Sequence, residues 1–322
     1  MKKSSLGGLL LVVIGIALLL VLTTDSGATS FQKLWSSLSK EINLQEQLPT
    51  DLLEQLVIDT SSVNVVVRKG QQPEATAHLT GTVRGLANKD YFLDLQENDA
   101  KAILSAGTNS NNILQIGFSN VKLIVTLPEK TWSALTIQTK SGNINVAEQL
   151  ADELVIQAKS GNVTASELSA ANIDIQTASG NVKLEQLDSF KVNLQTSSGN
   201  VKVKQLHAEK LQFNTQSGNA NFDGGAMQVI GETKSGNMKL ELDAITEDSL
   251  LQANSGNVKV KLREKPTNLT VDFIGNSGKG SISKTGFEYR LKNNDRHNFI
   301  GQFGSGEMKL EVKTRSGNFS LE

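Results

Sequence analysis

From residue 141 onward, apolar side chains return at fixed distances from a repeated serine. Ser-Gly-Asn begins at positions 141, 160, 179, 198, 217, 235, 255 and 316, and the first four steps are 19 residues each. Three and five residues after the serine stand Val163 and Ala165, Val182 and Leu184, Val201 and Val203. Eight residues after it stand Leu168, Leu187 and Leu206; then come Ile173 and Ile175, Val192 and Leu194, Leu211 and Phe213, and last Thr177, Thr196 and Thr215. Alternation on both sides of Ser-Gly-Asn has a period of two, the mark of strands with one buried face. Each unit reads as two short strands, with one corner at Ser-Gly-Asn and the other in the polar stretch about ten residues on. Nineteen residues are too few for a strand–helix–strand crossover, which takes about 30. The pattern therefore predicts an all-β, single-stack β-solenoid whose coils stack at the strand spacing of about 4.8 Å.

The tripeptide has a structural reading. Glycine accepts a positive φ, and serine and asparagine bond nearby backbone groups in turns. Ser160, Gly161 and Asn162, Gly180 and Asn181, and Gly199 and Asn200 are thus read as corners, with stacked asparagines bonding along the axis. The tripeptide holds no carboxylate, unlike calcium-binding repeats. The slots recur outside the exact copies: Leu56, Ile58 and Thr60 precede Ser62; Val271 and Phe273 precede Ser277 of an SGK variant; Phe299 and Phe303 precede Ser305 of an SGE variant. Val63 stands where glycine is expected, so the first corner should be of another type. Strand-like runs at 75–83, 91–96, 102–105, 113–118 and 121–127 suggest longer, hairpin-like coils, and polar residues 285–298 read as a bulging loop. The solenoid domain is expected over 50–322, irregular over 50–140 and regular over 141–322.

Two segments precede it. Lys2 and Lys3 stand before Leu6–Leu22, an apolar run without a charge. A bilayer span takes about 17–25 residues, and flanking lysines stay cytoplasmic. Residues 1–28 are therefore read as a single-pass membrane anchor with the C-terminal domain outside the cytoplasm, or as a signal peptide cut after Ala28, which would leave a secreted domain. Over 29–49, Phe31, Leu34, Trp35, Leu38 and Ile42 share one face of a predicted amphipathic helix. That helix would lie on the membrane or cover the open end of the solenoid.

Composition narrows the chemistry. There is no cysteine, which excludes disulfides and thiol chemistry, and the net charge of −1 gives no case for nucleic acid. His78, His207 and His297 lie far apart, and no metal, nucleophile or phosphate-loop motif occurs. No catalytic residue, metal or cofactor is assigned. An enzyme built on one outer face of the solenoid remains the alternative. Outward positions suggest two rows. Lys183, Lys202, Lys204, Lys239, Lys259, Lys261 and Lys309 would stack into a basic stripe for an anionic polymer or headgroup, or form a solvated face that discourages aggregation. Gln138, Gln157, Gln176, Gln195, Asn214 and Gln252 would form an amide ladder holding the register, on a flat polar face that could also take glycans.

The stretch VTLPEKTWSALTIQTKSGNINV (Val125–Val146), followed by repeated Thr-x-Ser-Gly-Asn units behind an N-terminal apolar segment, resembles the bacterial adhesin domain of unknown function found in LiaG-like envelope proteins. The resemblance covers about residues 50–322. It implies a β-solenoid and an envelope-stress context, and it carries no catalytic residues. Together these readings predict a non-catalytic extracytoplasmic envelope module that binds a wall polymer, a membrane surface or a partner protein. A self-associating adhesive stalk is the alternative.

Overall fold

A computed structural model describes residues 39–50, 52–85, 90–109, 117–292 and 296–322, and all regular structure among them is β. The first strands are β1 (Ser39–Leu48), β2 (Gln55–Thr60), β3 (Asn64–Lys69), β4 (Ala75–Gly85), β5 (Tyr91–Asn98), β6 (Lys101–Thr108), β7 (Gly117–Leu127) and β8 (Thr131–Ser141). Four long strands follow: β9 (Ile144–Ser160), β10 (Val163–Ser179), β11 (Val182–Ser198) and β12 (Val201–Ser217). The rest are β13 (Ala220–Gly224), β14 (Gln228–Ser235), β15 (Met238–Leu242), β16 (Ser249–Ser255), β17 (Val258–Leu262), β18 (Asn268–Gly275), β19 (Gly280–Ile282), β20 (Phe287–Lys292), β21 (Asn298–Gly304), β22 (Met308–Ser316) and β23 (Phe319–Leu321).

The regular coils pair in parallel one repeat apart, so Val163 lies on Val182 and Val182 on Val201. Inward residues form columns: Val163, Leu168, Ile173 and Ile175 are at most 1% exposed. The solenoid expectation holds, but each coil has three sides rather than two. Pairing between β10 and β11 skips Glu167, Ala171 and Ala178, dividing the coil into 163–166, 168–170 and 172–177. Buried positions step by three at the first two breaks, from Ala165 to Leu168 and from Ala170 to Ile173. The polar stretch expected to be a single corner is therefore a short middle side carrying Leu168 and Ala170 inward. At its first corner Glu148, Glu167, Gln186 and Gln205 take φ between 52° and 56°.

The Ser-Gly-Asn corner is held by close approach. A Cβ on Gly161 would lie 1.9 Å from the Gly142 carbonyl oxygen, and one on Gly180 1.9 Å from that of Gly161. The contact repeats through Gly199, Gly218, Gly236, Gly256 and Gly317. Glycine is required twice over, because φ at these positions from Gly161 on is between 131° and 154°. Beside it, each asparagine Oδ1 accepts the backbone N–H of the asparagine one coil on: Asn162 N–H to Asn143, Asn181 to Asn162 and Asn200 to Asn181, each at 2.9 Å. The expected asparagine stack is thus chiefly a side-chain-to-backbone chain. It starts at Asn64, which bonds the Asn143 N–H at 2.9 Å. Val63 fills the first corner with an ordinary φ, and its carbonyl is the one Gly142 packs against. Seven inward slots per coil, at about 1.5–3 kcal/mol for a large aliphatic side chain, outweigh about 1 kcal/mol for one hydrogen bond. The columns hold the stack, and the corner sets where each coil lies.

Neither end stacks in chain order. The corner runs from Gly256 to Gly317 and only then to Gly278. The last segment, β22–β23, lies between β16–β17 on one side and β18–β19 on the other. Antiparallel β21 covers β18, and β20 covers β21. Residues 287–292, expected as loop, are therefore a cap strand. Phe299 and Phe303 do point inward, from a strand running the opposite way. The N-terminal end mirrors this: β2–β3 lie between β8–β9 and β6–β7, with β5 antiparallel on β6 and β4 on β7, as the hairpin-like runs anticipated. One expectation fails here. Residues 39–48 are not helical, because β1 pairs antiparallel with β4 over all ten residues and buries Ile42 and Leu48 against the core. Residues 1–38, with the apolar run 6–22, the Ala28 site, Phe31, Leu34, Trp35 and Leu38, lie outside the described residues. No helix among the described residues is long and apolar enough to cross a membrane.

Gly180→Ala should lower stability by about 1–3 kcal/mol or more, read by urea denaturation. Gln186→Gly should raise it by a few tenths, since relief of about 1–2 kcal/mol of left-handed strain exceeds the added chain entropy of about 0.5–1 kcal/mol. Deleting residues 305–322 should leave amide exchange of β9–β12 slow and make that of β18 and β21 fast, because the coil beneath them is gone. Unchanged protection of β18 would contradict the inserted topology.

Candidate functional site

The solenoid turns every outward offset into a row along its axis. Lys183 pairs with Lys202, Lys202 with Asn221, Asn221 with Lys239 and Lys239 with Lys259. The neighbouring row runs from Glu185 to Lys204, then through Asp223 and Glu241 to Lys261. Six of the expected lysines are therefore brought together. Lys309 is not: it pairs with Thr270 on the side carrying β18 and β22. Its SGE tripeptide is the link from cap to inserted coil, where Gly304 and Gly306 take φ of 56° and 70°, unlike the corner glycines.

Carboxylates break up the stripe. Lys239 bonds Glu241 at 2.5 Å, and Lys259 meets Glu322 at 2.7 Å. Arg263 bridges Asp223 and Asp243. The hydrogen bond from Lys239 holds the Glu241 carboxyl below its usual range and raises the lysine in return. Lys309 lies 2.7 Å from Asp272 and 3.1 Å from Glu311, and the Asp272 hydrogen bond raises its pKa first. Lys313, then Lys309, hold the Glu311 carboxyl low. The outer face is thus a patchwork of both signs. Of the expected stripe, Lys183, Lys202, Lys204 and Lys261 make no ion pair among the described residues.

The more continuous feature lies on the third side. A groove of about 610 Å³ runs across the coils, between Gln138, Gln157, Gln176, Gln195 and Asn214 on one wall and the row from Lys140 and Lys159 to Gln216 on the other. Its cause is local. The last inward threonine is followed by two exposed residues, as at Ala178 and Ser179, so the backbone turns before the corner and leaves a furrow. The expected amide ladder is not what lines it. Gln176 bonds Asp174 at 3.0 Å and Asn214 reaches Glu232 at 3.4 Å, while the side-chain amides of Gln138, Gln157 and Gln195 make no hydrogen bond among the described residues. Register is kept by the asparagine chain instead. These rows continue into a second groove of about 540 Å³ that includes Glu232, Gln252, Asn254, Lys313 and Arg315.

The histidines do not converge. His78 Nε2 bonds Asn43 Oδ1 at 2.6 Å across β1 and β4, His207 faces outward on the middle side, and His297 Nδ1 meets the Gly278 carbonyl at 2.7 Å. Among the described residues no group of three or more His, Asp or Glu side chains could hold a metal ion.

The Toastrack DUF4097 family model matches residues 53–322. No curated protein matches the chain in sequence. Among solved structures it is similar to a candidate cell adhesion protein of Clostridium sporogenes, at 12% identity and a TM-score of 0.28, over 88% of this chain and 99% of that one. Candidate adhesins of Bacteroides fragilis and Parabacteroides distasonis each give a TM-score of 0.42. The first is 13% identical over 88% of this chain and 98% of its own, the second 12% identical over 87% and 97%.

Depressed carboxyl pKa values give stability that is present above about pH 4.3, the unfolded glutamate value, and lost as pH falls through the folded value. The pairs are partly exposed, so each contributes at most about 1 kcal/mol. The urea midpoint should therefore fall between pH 7 and pH 3 by less in Glu311→Gln than in the unaltered chain. An equal fall in both would show that the cluster is fully screened.

Proposed function

This chain belongs to the Toastrack DUF4097 family, and we propose that it is a non-catalytic interaction module of the bacterial envelope, held outside the cytoplasm by its N-terminal apolar segment. The observation that carries the reading is the groove: a long, open, polar furrow in which the side-chain amides of Gln138, Gln157 and Gln195 stand without a partner among the described residues. An open furrow crossing many coils suits a ligand that is itself long. A rigid scaffold suits such a ligand too, because the backbone that carries the amides is ordered before binding, which leaves only their side-chain rotamers to fix. The unpaired Lys183, Lys202 and Lys204 add a local basic patch beside Glu185, enough for weak salt-dependent attraction to a wall polymer.

A second reading is an adhesive element that associates through its end. It is favoured by β20, which among the described residues pairs only with β21 and exposes Tyr289 and Leu291 along its length. An unpaired edge strand of this kind is a template for another chain.

The full-length chain, held in detergent, should co-sediment with purified bacterial cell walls, and Lys183→Gln with Lys202→Gln should remove part of the binding at low salt and none at high salt. A chain left in the supernatant with both cell walls and anionic liposomes at every salt concentration would overturn the envelope-binding reading.

A further inference from the structure

We infer that the groove walled by Gln138, Gln157, Gln176 and Gln195 takes a linear, largely uncharged polyhydroxylated chain, a glycan strand, lying along the solenoid axis. The inference rests on the binding-module reading and names the ligand chemistry of that same site.

Direction comes first. The amides stand at one offset on successive coils, so the groove crosses the strands at right angles. Five such residues span four coil spacings, about 19 Å at about 4.8 Å each. A peptide that binds by adding a strand needs a free strand edge. Here β10 and β11 have parallel neighbours on both sides, and their backbone groups are used. The groove floor therefore offers side chains rather than a backbone ladder.

The side chains then select the chemistry. Each glutamine amide has two N–H donors and a carbonyl acceptor. Among the described residues none pairs with these groups of Gln138, Gln157 and Gln195, and Gln176 gives one donor to Asp174. A group that satisfies such an amide in both directions must donate and accept, which a hydroxyl does. A phosphate or carboxylate chain would meet the donors but face the carbonyl oxygens without a proton to give. An apolar chain would strip water from the amides and return no hydrogen bond, at a cost of about 1–3 kcal/mol for each group. Charge along the groove agrees. Lys140 and Lys159 stand at one end beside Asp59, and Glu232 with Lys313 and Arg315 in the continuation. Neither sign runs the length of it, as a polyanion site would need.

The groove wall holds no aromatic ring for a sugar to stack on. Binding must then accumulate from hydrogen bonds of about 0.5–1.5 kcal/mol each, so affinity should depend on chain length. A ligand touching one coil would bind too weakly to matter, and one spanning several coils would not.

The test titrates the full-length chain with an uncharged chito-oligosaccharide dimer and hexamer, and separately with poly(glycerol phosphate). The hexamer should bind at least about tenfold more tightly than the dimer. The triple variant Gln157→Ala, Gln176→Ala, Gln195→Ala should lose about tenfold of that, and so should Ala178→Trp, which blocks the furrow from its other wall and leaves every amide in place. His207→Gln, on the middle side away from the furrow, should bind the hexamer unchanged. An unchanged urea midpoint establishes that the outward-facing variants fold. Equal affinity for dimer and hexamer, full binding by Ala178→Trp, or groove-dependent binding of poly(glycerol phosphate) alone would each overturn the inference. If the chain sediments with cell walls but binds neither oligosaccharide, the envelope-binding reading stands and the glycan assignment falls.

Discussion

Everything in this molecule follows from how closely one coil approaches the next at a single corner. The glycine Cα sits under a carbonyl of the preceding coil at a distance no Cβ could share. That approach lets the adjacent asparagine reach the backbone one coil away at 2.8–3.0 Å. With the corner pinned, every residue at a given offset stands over its counterpart. Valine then lies on valine in the core, lysine on lysine outside, and glutamine on glutamine along the furrow. The hydrophobic columns supply most of the stability, but columns of similar aliphatic residues tolerate a slip. A glycine wedged under a carbonyl does not, so the weaker contact decides the register.

The ends answer a different demand. A stack of coils has two open faces whose backbone groups invite further pairing. Here β2–β3 at one end and β22–β23 at the other are threaded one level inward under a parallel pair of strands, and antiparallel strands cover that pair in turn, β4 and β5 at one end and β20 and β21 at the other. Because β22–β23 fill a slot between coils formed earlier in the chain, the C-terminal part closes only when β22–β23 are in place. This couples its ends more tightly than a solenoid stacked in order, in which each unit answers only to its neighbours.

Much of this was legible in the repeat. Period-two alternation located the columns, and the glycine and asparagine located the corner, because both mark backbone requirements that few residues meet. The third side was not legible, since its corner uses Glu167, Gln186 and Gln205 in a left-handed conformation that their residue types do not signal. The strand Ser39–Leu48 read as helix because Ile42 continued a helical spacing, while its pairing with β4 depends on a sequence-distant partner. Lys309 was assigned to the stripe by a tripeptide that looks like the corner and is a cap-to-coil link. The glutamine row was visible, but not its lack of partners. Spacing shows that amides stack, and only coordinates show that the side-chain amides of Gln157 and Gln195 bond nothing among the described residues.

The furrow is therefore a by-product of the corner: it exists because the residue before Ser-Gly-Asn and the serine itself both face outward on every regular coil, and it is straight because the register never slips. The most direct measurement of that claim is amide hydrogen exchange at the exposed corner. The backbone N–H groups of Asn162, Asn181, Asn200 and Asn219 should exchange as slowly as those of the buried columns, and in Asn181→Ala the N–H of Asn200, which Asn181 bonds, should become fast while that of Asn162 stays slow. Fast exchange at all four asparagines in the unaltered chain would show that the corner does not hold the register, and the account built on it would fail.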